Sequence, residues 1–429
     1  MLDRLGFPSV GNHRRFVTAI GVDAVGSGVF MPICILYFLV TTDLSLVQVG
    51  AAISLASLVS LPVGPMIGGL VDRIGAKRIL LVGNVLQAVG FAAYLVADAF
   101  VVITLWTIVV TVGRTAFWGS YGNIVAAISV PGEREKWFGF LGALRNVGFA
   151  VGGLLSGLVI TIGTPTAYAA VVVANAVSYV VAFVLLLTVP DPPRTAHART
   201  PGAWGIVLRD RPYRVLWAAQ LAYSTSMMVL NFAIPVYATT VLHLSGWVIG
   251  AVFTINTVMV GFGQGLVVRA MTGRVRWRVL LLTNAVFAGS FLVLLGANWL
   301  SVGLATAVLL GGSVVYTLGE LLGGPVLGAL SAEAAPDHLR GRYLSLIQLA
   351  WNVAGTIAPI AFAWLLDRGP TPIWLGLCAV GLAGTVLATR LGGVMPLASE
   401  RVSNAPREPV SGPAPDSMTG TVPDAGPVR

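Results

Sequence analysis

The sequence predicts an all-α polytopic membrane protein, with twelve transmembrane helices divided into two pseudo-symmetric six-helix bundles. Three observations carry that prediction. Charged residues make up only 10% of the 429 positions and hydrophobic residues 56%, whereas a soluble domain carries about a quarter charged residues. Twelve apolar runs recur along the chain, each near the ~20 residues that a bilayer crossing needs. The basic residues collect in alternate connections between these runs, as the positive-inside rule requires.

The spans lie near 16–40, 47–70, 79–97, 100–128, 137–162 and 166–189, then 214–240, 247–268, 279–297, 299–330, 342–366 and 372–390. The turns between the third and fourth and between the ninth and tenth are the shortest. With residues 1–15 inside, the inner connections hold Arg73, Lys77 and Arg78, then Arg134 and Lys136, Arg194 to Arg214, Arg269 to Arg278, and Arg340 with Arg342. The outer ones offer Arg368 beside Asp43, Asp98 and Asp367. Both termini are therefore expected in the cytoplasm, with the chain multi-pass in the cell membrane. His13-Arg14-Arg15-Phe16 has a competing reading as a twin-arginine export signal, but many spans and no soluble cargo follow it.

The N-terminal bundle is assigned to 16–189 and the C-terminal one to 214–390. Residues 190–213 form a polar, basic, proline-bearing cytoplasmic linker with a short helix expected around Trp204–Leu208. The tail, 391–429, carries seven prolines in 39 residues and reads as disordered, without a functional role. The bundles echo each other. Gly-Leu-Val-Asp-Arg at 69–73 recurs as Gly-Leu-Val-Val-Arg at 265–269, and Arg-Asn-Val-Gly at 145–148 as Trp-Asn-Val-Ala at 351–354. Weak repeats in the same order indicate duplicated halves. Val268 stands where the first copy has Asp72, which would concentrate charge-mediated gating on the N-terminal half.

The most specific stretch is Gly68-Gly-Leu-Val-Asp-Arg-Ile-Gly-Ala-Lys-Arg78, a charged turn between two membrane-length runs. It resembles the loop signature of the major facilitator superfamily, G-x-L-A-D-R-x-G-R-K. Gly68, Leu70, Asp72, Arg73, Gly75 and Lys77 match, and Val71 and Ala76 depart. The resemblance implies alternating access by two rocking bundles, with helices 1, 4, 7 and 10 lining a central cavity. It also supports a gating role for Asp72, and the whole turn, Gly68, Asp72, Arg73, Gly75, Lys77 and Arg78, is expected to act as a latch. Glu333, Asp337, Arg340 and Arg342, at the inner ends of the tenth and eleventh spans, are the expected partners of that turn. The other reading is a solvated loop whose charges only set topology. Gly148 to Gly157, G-x-x-x-G-G-x-x-S-G, resembles the helix-5 motif of drug–proton antiporters, with Gly153 in place of its proline and Ser156 in place of a glycine.

Four ionisable residues fall inside the spans: Asp23, Arg114, Arg145 and Glu320. Each costs about 2.5–3.5 kcal/mol on insertion scales if it faces lipid, so they should face water or one another. Asp23 is a candidate proton carrier, the other reading being a structural hydrogen bond. Arg114 and Glu320 are related by the same offset of 206 residues as Asn146 and Asn352, which suggests a cation tuning a titratable acid across the cavity, or a salt bridge locking the halves. Arg114 also resembles the arginine of the family's helix-4 motif R-x-x-Q-G, where Phe117 and Trp118 replace the glutamine and glycine. Arg145, two turns into its helix, belongs to the proton-coupling set or snorkels to the inner surface. Candidate substrate contacts are Tyr223, Asn231, Phe117, Trp118, Trp351 and Asn352. For Asn231 the rival is an interhelical hydrogen bond, and for the aromatics it is packing.

No phosphate-binding G-x-x-x-x-G-K-[ST] run occurs, so ATP is not expected as the energy source. Cys34 and Cys378 both lie in spans, and the histidines show no ligand spacing, so neither a disulfide framework, a metal nor another cofactor is expected. The net charge of +9 is dispersed between spans, which argues against nucleic acid. With no nucleophile–base pair apparent, an enzyme is not expected. The expected partners are a small-molecule substrate, protons and the lipid bilayer, with the monomer as the unit. The expectation is proton-coupled efflux of an amphipathic small molecule such as a drug or natural product. Its rivals are an uptake symporter or facilitator for a polar metabolite, and a non-transporting sensor or scaffold.

Overall fold

The computed structural model describes residues 7–130, 132–189, 203–394 and 400–403. Among these, eleven helices are each long and apolar enough to cross a membrane, and one bent pair supplies a twelfth. The first six are α1 (Gly11–Thr41), α2 (Gln48–Ser60 with Val63–Ile74), α3 (Ala76–Tyr94), α4 (Phe100–Ile128), α5 (Arg134–Ile162) and α6 (Pro165–Leu187). The second six are α7 (Arg211–Val241), α8 (Trp247–Ala270), α9 (Arg276–Trp299), α10 (Val302–Ala334), α11 (Asp337–Asp367) and α12 (Pro370–Val394). The break in α2 bends it by 46° beside Pro62, whose missing N–H and ring remove a helical hydrogen bond. In α7, π-helical turns at Val229–Ala233 and Tyr237–Val241 flank Pro235, an irregularity that the apolar pattern hides.

Each half has its own core. In the first, α1 packs on α5 and α6, and α3 on α4. In the second, α9 packs on α10 and α12, and α7 on α11 and α12. A short helix, Ala203–Arg209, precedes α7, and Asp210 at its end accepts a 2.8 Å hydrogen bond from the Tyr343 hydroxyl at the start of α11. This end of the molecule, which also carries the α2–α3 turn, is called the linker side below.

The small-residue motif of α5 explains how α1 and α5 meet. A Cβ on Gly148 would lie 2.6 Å from the Ala24 Cβ, and one on Gly152 would lie 2.5 Å from the Val29 amide nitrogen. The backbones therefore touch, and Ser156 adds a hydrogen bond to the Val29 carbonyl. Gly153 and Gly157 face open space. Gly152→Val should cost at least the ~1–3 kcal/mol of an overpacked core, read as a lower melting temperature in detergent. Gly153→Val should leave it nearly unchanged; equal effects would contradict this packing.

The tail departs from its expected disorder. Helix α12 continues to Val394, and Glu400 to Val402 pair with the α8–α9 turn through an antiparallel bridge between Val275 and Arg401. Val402, only 1% exposed, supplies the apolar anchor that the proline-rich composition conceals. Tail residues 395–399 and 404–429, and linker residues 190–202, lie outside the described residues.

Candidate functional site

On the linker side, Gly68 lets α2 approach α11. A Cβ there would strike the Ser345 hydroxyl and lie 2.9 Å from the Gly341 carbonyl. One turn later the Asp72 carboxylate accepts the Gly341 amide at 2.6 Å and the Arg342 amide at 3.3 Å, and pairs with the Arg342 guanidinium at 2.7 Å. Helix α11 has no side-chain cap of its own at Leu339. Asp72 therefore caps it from the other half and places a negative charge at the positive end of its dipole. The rest of the expected set does other things. Gly75 holds the turn at φ 95°. The Lys77 ammonium reaches the Leu187 and Val189 carbonyls of its own half. Arg73 and Arg78 are exposed, and Arg340 pairs with Asp337 three residues away.

A second cluster, which the sequence reading did not assemble, closes the same end. Arg276 of α9 is 1% exposed. Its guanidinium binds Glu135 of α5 at 2.8 and 2.5 Å, and Glu333 of α10 at 2.8 and 3.3 Å. Arg134 adds its charge at 4.0 Å from Glu333. Charge-mediated contact is thus not confined to the N-terminal half, as Val268 had suggested. At the α8–α5 junction Gln264 and Val268 face Gly139 by apolar contact, and the ion pair has moved to the neighbouring α9. The pseudo-symmetry offers a signal for it, since Glu135 lies 206 residues before Gly341, the residue that Asp72 grips. Hydrogen bonds from Gly341 and Arg342 to Asp72, and from Arg276 to Glu135, join the two halves.

Inside the spans, Asp23 and Arg145 form a buried ion pair at 2.6 Å. Arg145 is 8% exposed, so it does not snorkel. The glycine contacts of α5 bring it onto α1, and its guanidinium lies 4.4 Å from the Trp118 ring centroid, with Phe117 and Phe149 beside it. Phe117 is itself buried and packs edge-on against Trp118.

Arg114 and Glu320 are not joined. Among the described residues no ion pair within 4.0 Å links them. Arg114 is exposed. The half-buried Glu320 carboxylate accepts instead from the Asn256 amide of α8 at 2.6 Å. Asn256 is buried and also donates to Thr317 at 3.2 Å, and the Tyr223 hydroxyl donates to the Glu320 carbonyl. Asn256 was missed, although a lone amide in an apolar run is the same signal that singled out Asn231. Asn256→Ala should destabilise by about 1–3 kcal/mol by leaving a carboxylate oxygen unsatisfied. Glu320→Ala in the same chain should recover much of that loss, and additive losses in melting temperature would contradict the coupling.

Of the remaining candidates, Tyr223 and Trp351 border this acid and Asn231 the α7 irregularity. Trp351 stands edge-on to Tyr223, with ring centroids 6.1 Å apart. The Asn352 side-chain oxygen accepts a 3.4 Å contact from Gln348, and its carbonyl accepts the Thr356 hydroxyl at 2.8 Å, both within its own helix. Asn231 lies exposed in the first π-turn and makes no side-chain hydrogen bond among the described residues.

Comparison with known proteins gives a consistent family. The model of the Major Facilitator Superfamily matches residues 16–359. The Multidrug resistance protein MdtH of Klebsiella pneumoniae (strain 342) is 25% identical over 389 residues, covering 87% of this chain and 92% of that one. MdtH of Shigella boydii serotype 4 is 23% identical, covering 83% and 88%. Among solved structures, a bacterial homologue of the iron transporter ferroportin in an outward-facing state superimposes with a TM-score of 0.73 at 15% identity, over 89% of this chain and 99% of that one. The proton:xylose symporter XylE gives 0.70 at 15% identity, over 90% and 96%. At that identity the structural likenesses bear on the fold alone.

Proposed function

The chain belongs to the Major Facilitator Superfamily, and we propose that it exports an amphipathic small molecule in exchange for protons, by alternating access. The observation that carries the proposal is the Asp23–Arg145 pair, a buried carboxylate and a permanent cation held between α1 and α5. A proton on Asp23 removes the charge that holds Arg145, so proton binding and helix position are coupled. Glu320 is the second titratable carboxyl, held by a neutral amide where a ligand's positive group could replace it. Arg114 offers a permanent cation on the other half. Tyr223, Trp351, Asn231, Asn352 and the half-buried face of Trp118 supply amphipathic contact surface.

With the linker side cytoplasmic, as the arginine distribution favours, the Asp72 and Arg276 clusters are the closed inner gate of an outward-facing conformer. The multidrug names of the relatives favour a drug-like substrate and export. The reading requires no enzymatic chemistry, and the working unit is taken as a monomer in the bilayer of the cell membrane.

The test is substrate-evoked proton flux in liposomes containing a pH dye, screened with amphipathic compounds. Flux lost in both Asp23→Asn and Glu320→Gln, with each variant folded, is the expected result. Flux unchanged in both would overturn the assignment of these acids.

A further inference from the structure

The C-terminal segment is built into the gate. Glu400 to Val402 cross the α8–α9 turn antiparallel. The Gly273 amide donates to the Val402 carbonyl at 2.8 Å, and the Val402 amide donates to the Arg274 carbonyl at 2.9 Å. The Arg276 amide donates to the Glu400 carbonyl at 2.8 Å, and the Arg401 guanidinium reaches the Gly273 carbonyl at 3.0 Å. Val402 is buried and packs in the same apolar cluster as Val268, Met271 and Val279.

Two facts tie this strap to gating. Helix α9 begins at Arg276 behind Val275, which has no side chain able to cap it. The first amides of a helix lack intrahelical partners, and the Glu400 carbonyl satisfies that of Arg276. The residue whose backbone is so held is the one whose side chain joins Glu135 of the other half. The strap therefore fixes both the start of α9 and the origin of the guanidinium that crosses the interface.

We infer that residues 400–402 act as a conformational strap that favours the linker-side-closed state by holding Arg276 in register with Glu135. The inference rests on the alternating-access reading. When the halves separate, Arg276 loses Glu135, and the strap's contribution is largest where that bond is made. Loosening the strap then shifts the population toward the linker-side-open state.

The experiment uses the full chain with Cys34 and Cys378 replaced by serine and Ser345→Cys as reporter, because Ser345 is buried beneath Gly68 in the closed state. Maleimide labelling is followed in detergent without substrate or gradient, so its result does not depend on whether transport is proton-coupled. Val402→Asp should speed labelling roughly five- to ten-fold, the population shift that the loss of one helix cap gives. Val402→Leu should restore the slow rate. Arg276→Met is the control showing that the reporter responds to opening. A Val275→Cys/Arg401→Cys pair on the bridge should form a disulfide under mild oxidation and keep the reporter slow. A disulfide that forms while Val402→Asp leaves labelling unchanged would reduce the strap to a local cap. Failure of the pair to cross-link would overturn the docked strap itself. Either result could coexist with intact substrate-evoked proton flux.

Discussion

Arg276→Met should open the linker-side face and leave the protein folded. In the closed state Glu135 is fully buried and Glu333 nearly so, and the Arg276 guanidinium bonds both, with Arg134 supplying a second positive charge 4.0 Å from Glu333. Removing it strands the Glu135 carboxylate beside a Glu333 left with Arg134 alone, in a dry interface, a loss of about 3–5 kcal/mol for a broken buried pair. Separating the halves lets water reach both acids, so the penalty falls on the closed conformer more than on the fold. Inverting a 99:1 equilibrium takes ~5.5 kcal/mol, so the variant should come close to doing so. The Asp72–Arg342 contact would still resist full opening, and Asp72→Asn added to Arg276→Met should complete it. Labelling of Ser345→Cys reports the change, and Glu135→Gln in the Arg276→Met background should partly reverse it, because the stranded charge is then gone. If Arg276→Met labels no faster than the parent, the cluster is not part of the gate.

The spans were legible because a bilayer permits few solutions. Long apolar runs interrupted by basic turns leave helices as the available structure. Gly68 and Asp72 were legible because a close approach and a charge sit together in one short motif. What escaped was pairing across distance. Arg276 and Glu135 each lie at the linker-side end of a span, where a charge reads as a topology signal, and no local pattern says that α9 meets α5. For Arg145 the sequence leaves a coupling role and a snorkel both open, because it does not place Gly148 and Gly152 against α1. The salt bridge considered between Arg114 and Glu320 is not formed in this structure, for a related reason. Equivalent positions in duplicated halves are related by rotation, and rotation alone does not bring two side chains into contact. The acid found its partner in Asn256, an amide that carried no charge to draw attention. The docked Glu400–Val402 segment was hidden by the composition of the tail around it.

Asp23→Leu should be the most damaging single change within the spans, and its rescue separates stability from mechanism. Arg145 would remain buried against Trp118, Phe117 and Phe149 with no carboxylate within reach. Cation–π contact recovers about 0.5–2 kcal/mol, less than the ~3–5 kcal/mol expected from breaking a buried pair. The melting temperature should fall accordingly. Asp23→Leu with Arg145→Leu removes both charges from the α1–α5 contact, and replacing a buried pair by apolar side chains is often neutral or stabilising by about 1–4 kcal/mol. The double variant should therefore melt at or above the parent. If the pair were only a strut, transport would return along with stability. On the proposed mechanism it does not, because there is no carboxyl on α1 to take a proton and no cation for it to release. A stable double variant without substrate-evoked proton flux would place Asp23 in the coupling machinery. One with parental flux would leave the ion pair as a folding device and move the proton to Glu320 alone.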